Sequence, residues 1–385
     1  MMGCTTAACG SNGVRAGGAG IIAYMEALLD PLLPLFERER AAGRALALGV
    51  LVGTEGSTYR KAGALILIAA NGDYAGLISG GCLEGDLREH ARTVIETGAA
   101  RTVGYDTRGA DDLVWGLGLG CEGAMRILLL RAGADNGWQP LTHLAAALTA
   151  RSATAVGVVV ESSRSDLPPG SLALLGASVR AATPVQAALA RAARDGRVCW
   201  VEDASTRTFV LPLAMPPRIL LLGAGPDTIP LVDFAARLNW KVTLVDHRSA
   251  YAVAAHFPAA ERVVLARPEE LGASLDLGPF SAAVVMSHHL PSDLTYLRAL
   301  AASTIPYVGL LGPAMRRDRL LADLGADAQA LRSRLHAPVG LPLGGRSPES
   351  VALSIVAQLH AFVHAPEAAG STAAQTGGSS GAVTA

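Results

Sequence analysis

The sequence predicts an α/β protein, with an N-terminal mixed α/β domain followed by a C-terminal Rossmann-like doubly wound domain. Three observations in the stretch Arg218 to Arg248 predict the second part. Ile219 to Leu222 is a short apolar run, the pattern of a strand buried on both faces of a parallel sheet. It breaks at Gly223-Ala224-Gly225, where two glycines permit a tight turn and a close approach of backbone N–H groups to a ligand. A helical pattern then leads to a second apolar run, Lys241 to Val245, which ends in Asp246, 23 positions after Gly223. Dinucleotide-binding folds place the acid that contacts ribose hydroxyls at about this distance.

Within that unit, Ile229, Val232 and Ala236 are expected on the inward face of the helix, joined by Leu231 and Ala235, and the helix should end near Asn239. Thr228 stands where a third glycine would be, which would hold the helix further from the strand. Asp227 puts a negative charge where a pyrophosphate would sit. A Rossmann unit that binds no dinucleotide is therefore an equal alternative.

At 385 residues the chain is long enough for two or three domains with their own cores. Half of it is hydrophobic but only 4% is aromatic, so the cores must be built from Ala, Leu and Val. A formal net charge of −1 gives no reason to expect nucleic-acid or membrane-surface binding. The chain has no apolar run of about 18 residues, the length of a membrane span. The first 20 residues lack the charged-then-apolar order of a signal peptide. Five scattered cysteines argue against a disulfide framework, and a reduced, cytoplasmic setting is expected.

The expected organisation is a disordered start (1–20), an N-terminal domain (21–131), an intermediate α/β segment and linker (132–217), the Rossmann-like domain (218–365) and a disordered Ala/Gly/Ser/Thr tail (366–385). A helix is expected between Tyr24 and Arg40, and Ala45 to Gly53 reads as a buried strand. The glycine-rich basic loop Gly53 to Gly63 follows. Leu65–Ala69 and Tyr74–Ile78 pair across Asn71-Gly72, a hairpin signal. The segment Ser79 to Gly98 carries two glycines, Cys82 and a helix from about Leu83 to Thr97, with Gly98 as its stop. Cys82 thus falls at a helix start, where backbone N–H groups favour a thiolate. A second glycine-rich turn, Trp115 to Gly123, holds Cys121 ahead of a strand from Met125 to Leu130. Further strands are read at Thr154–Glu161 and Val198–Val201, with a helix at Pro184–Arg194 between them. Pro212, Pro216 and Pro217 mark the linker. Ala282–Met286 and Tyr307–Leu310 complete the strands, and Ser347-Pro348 should cap a helix reaching Phe362.

In the Rossmann half, Gly223, Gly225, Asp246, His288, Asp293 and Gly312 fall at or just past strand ends, where ligands bind in such sheets. Asp246 would serve the ribose of NAD or of another nucleotide, its charge disfavouring a 2′-phosphate. Ser292 or Asp293 reads first as a cap for a helix from Leu294 to Ala302. Arg316 suits a phosphate, with a solvated basic face as an equal alternative. His288 and His289 lack a third ligand in view, so zinc is not expected.

The order GTEGSTYRKAG, SGGCLEGD, GLGLGCEG, GAGPD, SHHLPSD and YVGLLGPAMRRDR resembles the XdhC/CoxI family, accessory proteins that mature molybdenum hydroxylases. The resemblance spans most of residues 45–362. It implies binding of the molybdenum cofactor (molybdopterin, in some forms extended by a nucleotide), its protection during sulfuration, and delivery to a molybdenum hydroxylase apo-enzyme. A cysteine desulfurase-type sulfur donor and a homo-oligomer are the partners it implies, with no catalytic residue assigned. On this reading Cys82 is a thiolate for the soft molybdenum and Cys121 its second candidate. Gly80 and Gly81 keep the turn open, Arg60 and Lys61 meet the pterin phosphate, and Glu84 complements the helix dipole. A front-half thiol and the back-half nucleotide pocket would then share one cleft. Four positions depart from the family pattern: Tyr59 for a proline, Glu122 for a glycine or asparagine, Pro342 for an acid and Gly345 for an alanine. The runner-up reading is a NAD-dependent oxidoreductase with His288 or His289 as acid–base group. A nucleotide-sensing regulatory protein is the third.

Overall fold

The computed structural model describes residues 29–81, 83–106, 108, 123–176 and 183–364. In its front half α1 (Leu33–Ala41) precedes a five-stranded antiparallel sheet: β1 (Leu46–Gly56), β2 (Leu65–Ala69), β3 (Tyr74–Gly76), then α2 (Glu84–Thr97), β4 (Arg101–Asp106) and β5 (Gly123–Ala132). The order across the sheet is β3-β2-β1-β5-β4. After α3 (Leu141–Ala150) comes a four-stranded sheet of β6 (Ala155–Ser162), β7 (Leu172–Leu174), β8 (Cys199–Glu202) and β9 (Thr206–Pro212), with α4 (Thr183–Asp195) before β8.

Strand periodicity explains how these pieces stack. Successive side chains on β1 point to opposite faces. Leu46, Leu48, Val50 and Val52 join Leu128 and Leu130 on one face, and there they meet Val156, Val158, Phe209 and Leu211 of the second sheet. Ala47, Leu51, Ile127 and Leu129 face the other way and are covered by Leu87, Ala91 and Val94 of α2. The second sheet buries Ala155 and Val210 under Ala188, Leu189 and Ala192 of α4. The result is a helix–sheet–sheet–helix sandwich, and segments 21–131 and 132–217 contribute to one shared core.

The back half is a six-stranded parallel sheet: β10 (Arg218–Leu222), α5 (Ile229–Arg237), β11 (Lys241–Asp246), β12 (Arg262–Leu265), α6 (Leu271–Ser274), β13 (Ala282–Val285), α7 (Leu290–Ala301), β14 (Val308–Leu310), α8 (Ala314–Leu324), α9 (Ala328–Leu331), β15 (Leu335–His336) and α10 (Pro348–Val363). The strand order β12-β11-β10-β13-β14-β15 is that of a doubly wound dinucleotide fold, with its switch point between β10 and β13. Ile219 and Leu221 pack under α5 and α10, and Leu220 and Leu222 under α6, α7 and α8. Ser347 accepts the Ser350 N–H and caps α10, as its Ser-Pro start predicts.

Two expectations fail in register. Ile229 is 37% exposed, whereas Leu231, Val232 and Ala235 are buried. Pro226–Thr228 forms a 3-10 turn before α5, and its tighter winding shifts the phase of the face that follows. The helix α7 starts at Leu290, with Pro291 in its first turn, so Ser292 and Asp293 lie inside it and His289 takes the N-cap position. Among the described residues no helix is long and apolar enough to cross a membrane.

Candidate functional site

In the front half, the Gly53–Gly63 loop, the Ser79–Gly81 turn and the start of β5 at Gly123 meet at one end of the first sheet. Residues 115–122 of the third glycine-rich segment lie outside the described residues. Ala64, which closes the Gly53–Gly63 loop, shares a core cluster with Ile78 and Leu83, which flank the Ser79–Gly81 turn, and with Met125 at the start of β5. Gly123 packs so closely on this loop that a Cβ there would lie 2.4 Å from the Ser57 carbonyl oxygen. Backbone hydrogen bonds between Leu51 and residues 63 and 64 fold the loop back on β1.

Glu84 is the anchor of the turn. Its buried carboxylate accepts the Ser79 N–H at 3.0 Å and the Ser79 hydroxyl at 2.5 Å. The Ser79 Oγ in turn accepts the N–H groups of Gly81 and Leu83, each at 3.2 Å. Burial alone would raise the pKa of Glu84, but these donors outweigh it and hold the group below its ordinary value. Glu84 is thus a structural brace as well as a dipole partner. Gly80 and Gly81 are exposed, Gly81 has φ +108°, and among the described residues a Cβ at either would touch nothing within 4 Å. Arg60 and Lys61 are half-buried, and Lys61 donates to Thr58 Oγ1 at 3.4 Å. Cys82 and Cys121 lie outside the described residues.

At the carboxyl end of the parallel sheet, Gly223 has φ +125°, and a Cβ there would lie 2.5 Å from the Met286 carbonyl oxygen. Only glycine fits between the β10 turn and the end of β13. Thr228, at the missing-glycine position, is fully buried, its hydroxyl 3.4 Å from the Gly223 carbonyl.

Asp246 is buried, and all its acceptor capacity is directed into the protein. Its Oδ2 accepts the Ala224 N–H at 2.8 Å and Arg248 Nη2 at 2.7 Å. Its Oδ1 accepts Arg248 N and Nε, both at 2.9 Å. Burial would raise this pKa, yet Arg248 and the two backbone donors hold it below the ordinary value. Arg248 lies over the Tyr251 ring, 4.1 Å from its centroid. Neither Arg248 nor Tyr251 stands out in the sequence as a site residue. The available signal was a base two positions past the acid, close enough for its side chain to fold back on the carboxylate.

Asp293 is fully buried, accepting Ser287 Oγ at 2.5 Å and Arg316 Nη2 and Nε at 2.6 and 3.2 Å. It is therefore an ion-pair partner rather than a cap, and this pairing occupies one edge of the Arg316 guanidinium. Gly312, at φ +133°, leaves room for the Arg316 stem, which a Cβ would approach to 2.6 Å. His288 is exposed, adopts φ +58° and sits 2.8 Å from Asp227 Oδ2, so the charge of Asp227 faces an imidazole. Among the described residues no group of three His, Cys, Asp or Glu side chains converges as a metal site.

Polar contacts join the two halves at the amino ends of the parallel strands: Asn239 and Lys241 to Asp30, and Arg151 to Glu261. Gly223 and Asp246 stand at the opposite ends. These contacts do not bring the Gly223 turn to the front-half turns.

Comparison with known proteins agrees with this architecture. The sequence model of the XdhC Rossmann domain matches residues 219–359, and that of the XdhC and CoxI family matches residues 39–106. The chain is 32% identical over 334 residues to a probable xanthine dehydrogenase subunit of Bacillus subtilis strain 168, covering 86% of this chain and 95% of that one. A crystal structure described as a xanthine dehydrogenase from Bacillus halodurans superposes with a TM-score of 0.73 at 28% identity, covering 88% of this chain and 97% of that one. The uncharacterized protein YqeB of Escherichia coli strain K12 is 27% identical over 176 residues, 44% of this chain and 32% of that one. A Rossmann half with the dinucleotide strand order, a front half whose glycine-rich turns converge, and a relative matched along nearly its whole length place the chain in the XdhC and CoxI family.

Proposed function

We propose that this protein is an accessory factor of a xanthine dehydrogenase or CO dehydrogenase-type molybdoenzyme, one that binds the molybdenum cofactor, shields it during sulfuration and delivers it to the apo-enzyme. The observation that carries this reading is the meeting of the Gly53–Gly63 loop, the Ser79–Gly81 turn and Gly123, the first residue of β5, at one end of the front sheet. The Bacillus subtilis relative, named for xanthine dehydrogenase, supports the choice of client.

The residues present fit the group. Gly80 and Gly81, exposed and with nothing among the described residues within 4 Å of an added Cβ, would leave room for a pterin, and Arg60 and Lys61 would hold its phosphate. Cys82, in the segment that Ser79 and Glu84 brace, would offer a thiolate to the soft metal. The bound cofactor itself supplies the molybdenum–dithiolene centre that the client enzyme needs. A cysteine desulfurase-type donor would supply the sulfur, and a homo-oligomer is the expected assembly. In the back half, the Gly223–Gly225 turn with Arg316 would receive a nucleotide, either NAD or the extension of the pterin. A NAD-dependent oxidoreductase is the weaker reading, because Asp246, its ribose ligand, already accepts four internal donors.

Oxidation of the denatured, purified protein should release a fluorescent pterin, and its absence from protein made in cofactor-replete cells would count against the proposal. Cys82→Ser should fold normally and retain less pterin. Undiminished retention would exclude thiolate ligation.

A further inference from the structure

The Rossmann half has one cationic group placed where its sequence suggested an anionic one. The side chain of Asp246 is only 1% exposed. Its charge is answered by the Ala224 N–H and by three donors of Arg248, so it offers no free acceptor to a ribose hydroxyl. Arg248 is 35% exposed. It uses N, Nε and Nη2 on Asp246, and among the described residues its Nη1 has no acceptor. The guanidinium carbon lies over the Tyr251 ring, 4.1 Å from its centroid, and Tyr251 is itself 38% exposed. Arg267 follows β12 at the matching level, two residues past Leu265, the register partner of Asp246, and is exposed.

The geometry points to a phosphomonoester pocket at the end of β11, in which Arg248 binds a phosphate on the ribose 2′ position of an adenine nucleotide. This rests on the reading of the back half as a nucleotide site and specifies which nucleotide it takes. A planar guanidinium fixed by a buried carboxylate loses little freedom on binding, and its remaining N–H edge suits a phosphate oxygen. The planar guanidinium and the partly exposed Tyr251 ring beside it offer an adenine ring a surface to lie against. Nearby arginines are the means by which dinucleotide folds accept a 2′-phosphate. The acid, usually the group that rejects that phosphate, here orients the group that binds it.

Equilibrium titration of the full chain with adenosine 2′,5′-bisphosphate against 5′-AMP, and with NADP against NAD, tests the assignment. Each 2′-phosphorylated ligand should bind roughly tenfold or more tightly, the order that one charge-assisted hydrogen bond supplies. Arg248→Gln, which keeps amide donors toward Asp246, should erase the preference; should it fail to fold, the wild-type comparison decides alone. Equal affinities, a preference for the unphosphorylated partner, or a preference that survives Arg248→Gln would overturn the pocket and leave the nucleotide reading standing. No binding of any of the four would overturn both, while pterin recovery would still judge the front half separately.

Discussion

Arg316 reaches from the first turn of α8 to Asp293 in the first turn of α7, Nη2 to Oδ2 at 2.6 Å. The pair ties together the two helices that follow β13 and β14, on one side of the switch point, and Ser287 adds its hydroxyl from the end of β13. Across the turn after β10, Asp246 and Arg248 form a second such pair at the end of β11. The candidate nucleotide crevice is thus bounded on both sides by a buried carboxylate that holds an arginine in place.

Removing one member should expose the cost of that arrangement. Asp293 is fully buried and Arg316 largely so. Asp293→Ala should strand the guanidinium and lower unfolding stability by about 3 kcal/mol. Pairing it with Arg316→Met should recover part of the loss. Urea unfolding of the two variants measures both, and a loss below about 1 kcal/mol would mean that water already reaches the pair.

The two turn glycines should behave differently. Gly223→Ala forces a side chain into a left-handed backbone conformation and against the Met286 carbonyl, so the protein should fold poorly or lose several kcal/mol. Gly225 has φ −66°, and its added Cβ would meet only the movable end of Asp227. Gly225→Ala should keep the fold, displace Asp227 and release His288 from its 2.8 Å contact, visible as a change in the NMR chemical shifts of the His288 ring. Equal thermal stability of the two variants would contradict the packing described at Gly223.

Much of this fold was legible because its signals are local. The apolar runs at Ile219–Leu222 and Ala282–Met286, the Asn71-Gly72 hairpin and the Ser347 cap each depend on a few adjacent residues. The partners of the site residues were not legible. Asp293 looked like a cap because Ser and Asp near a helix start usually are; only the early start of α7 at Leu290 carries it past that role. By sequence Asp246 reads as a ribose ligand, and nothing adjacent to it shows that the Arg248 guanidinium folds back onto its carboxylate. Nor did the sequence show that residues 132–217 lay a second sheet on the first, since that contact joins β1 and β5 to strands far along the chain.

Glu84 offers a test of the front turn that needs no ligand. Glu84→Ala removes the acceptor for two Ser79 donors and should lower stability by about 1–3 kcal/mol. The amides of Gly81 and Leu83, now bound to Ser79 Oγ, should exchange faster with solvent. Unchanged exchange at both would show that the turn holds its shape without the brace.

Acid should weaken the back-half site for a related reason. Asp246 titrates below its ordinary carboxylate value when folded, so the unfolded chain takes up its proton first as pH falls. Its contribution to stability is therefore complete above the unfolded value and disappears as pH drops through the folded one. Arg248→Gln removes the largest group holding that pKa down, leaving burial to push it up. The variant should therefore be less stable than the wild type at neutral pH yet lose less stability on acidification, or gain some, with the two curves converging in strong acid. Thermal unfolding followed from neutral pH downward reads this directly. Parallel curves, offset by a constant amount at every pH, would show that Arg248 does not set the charge state of Asp246.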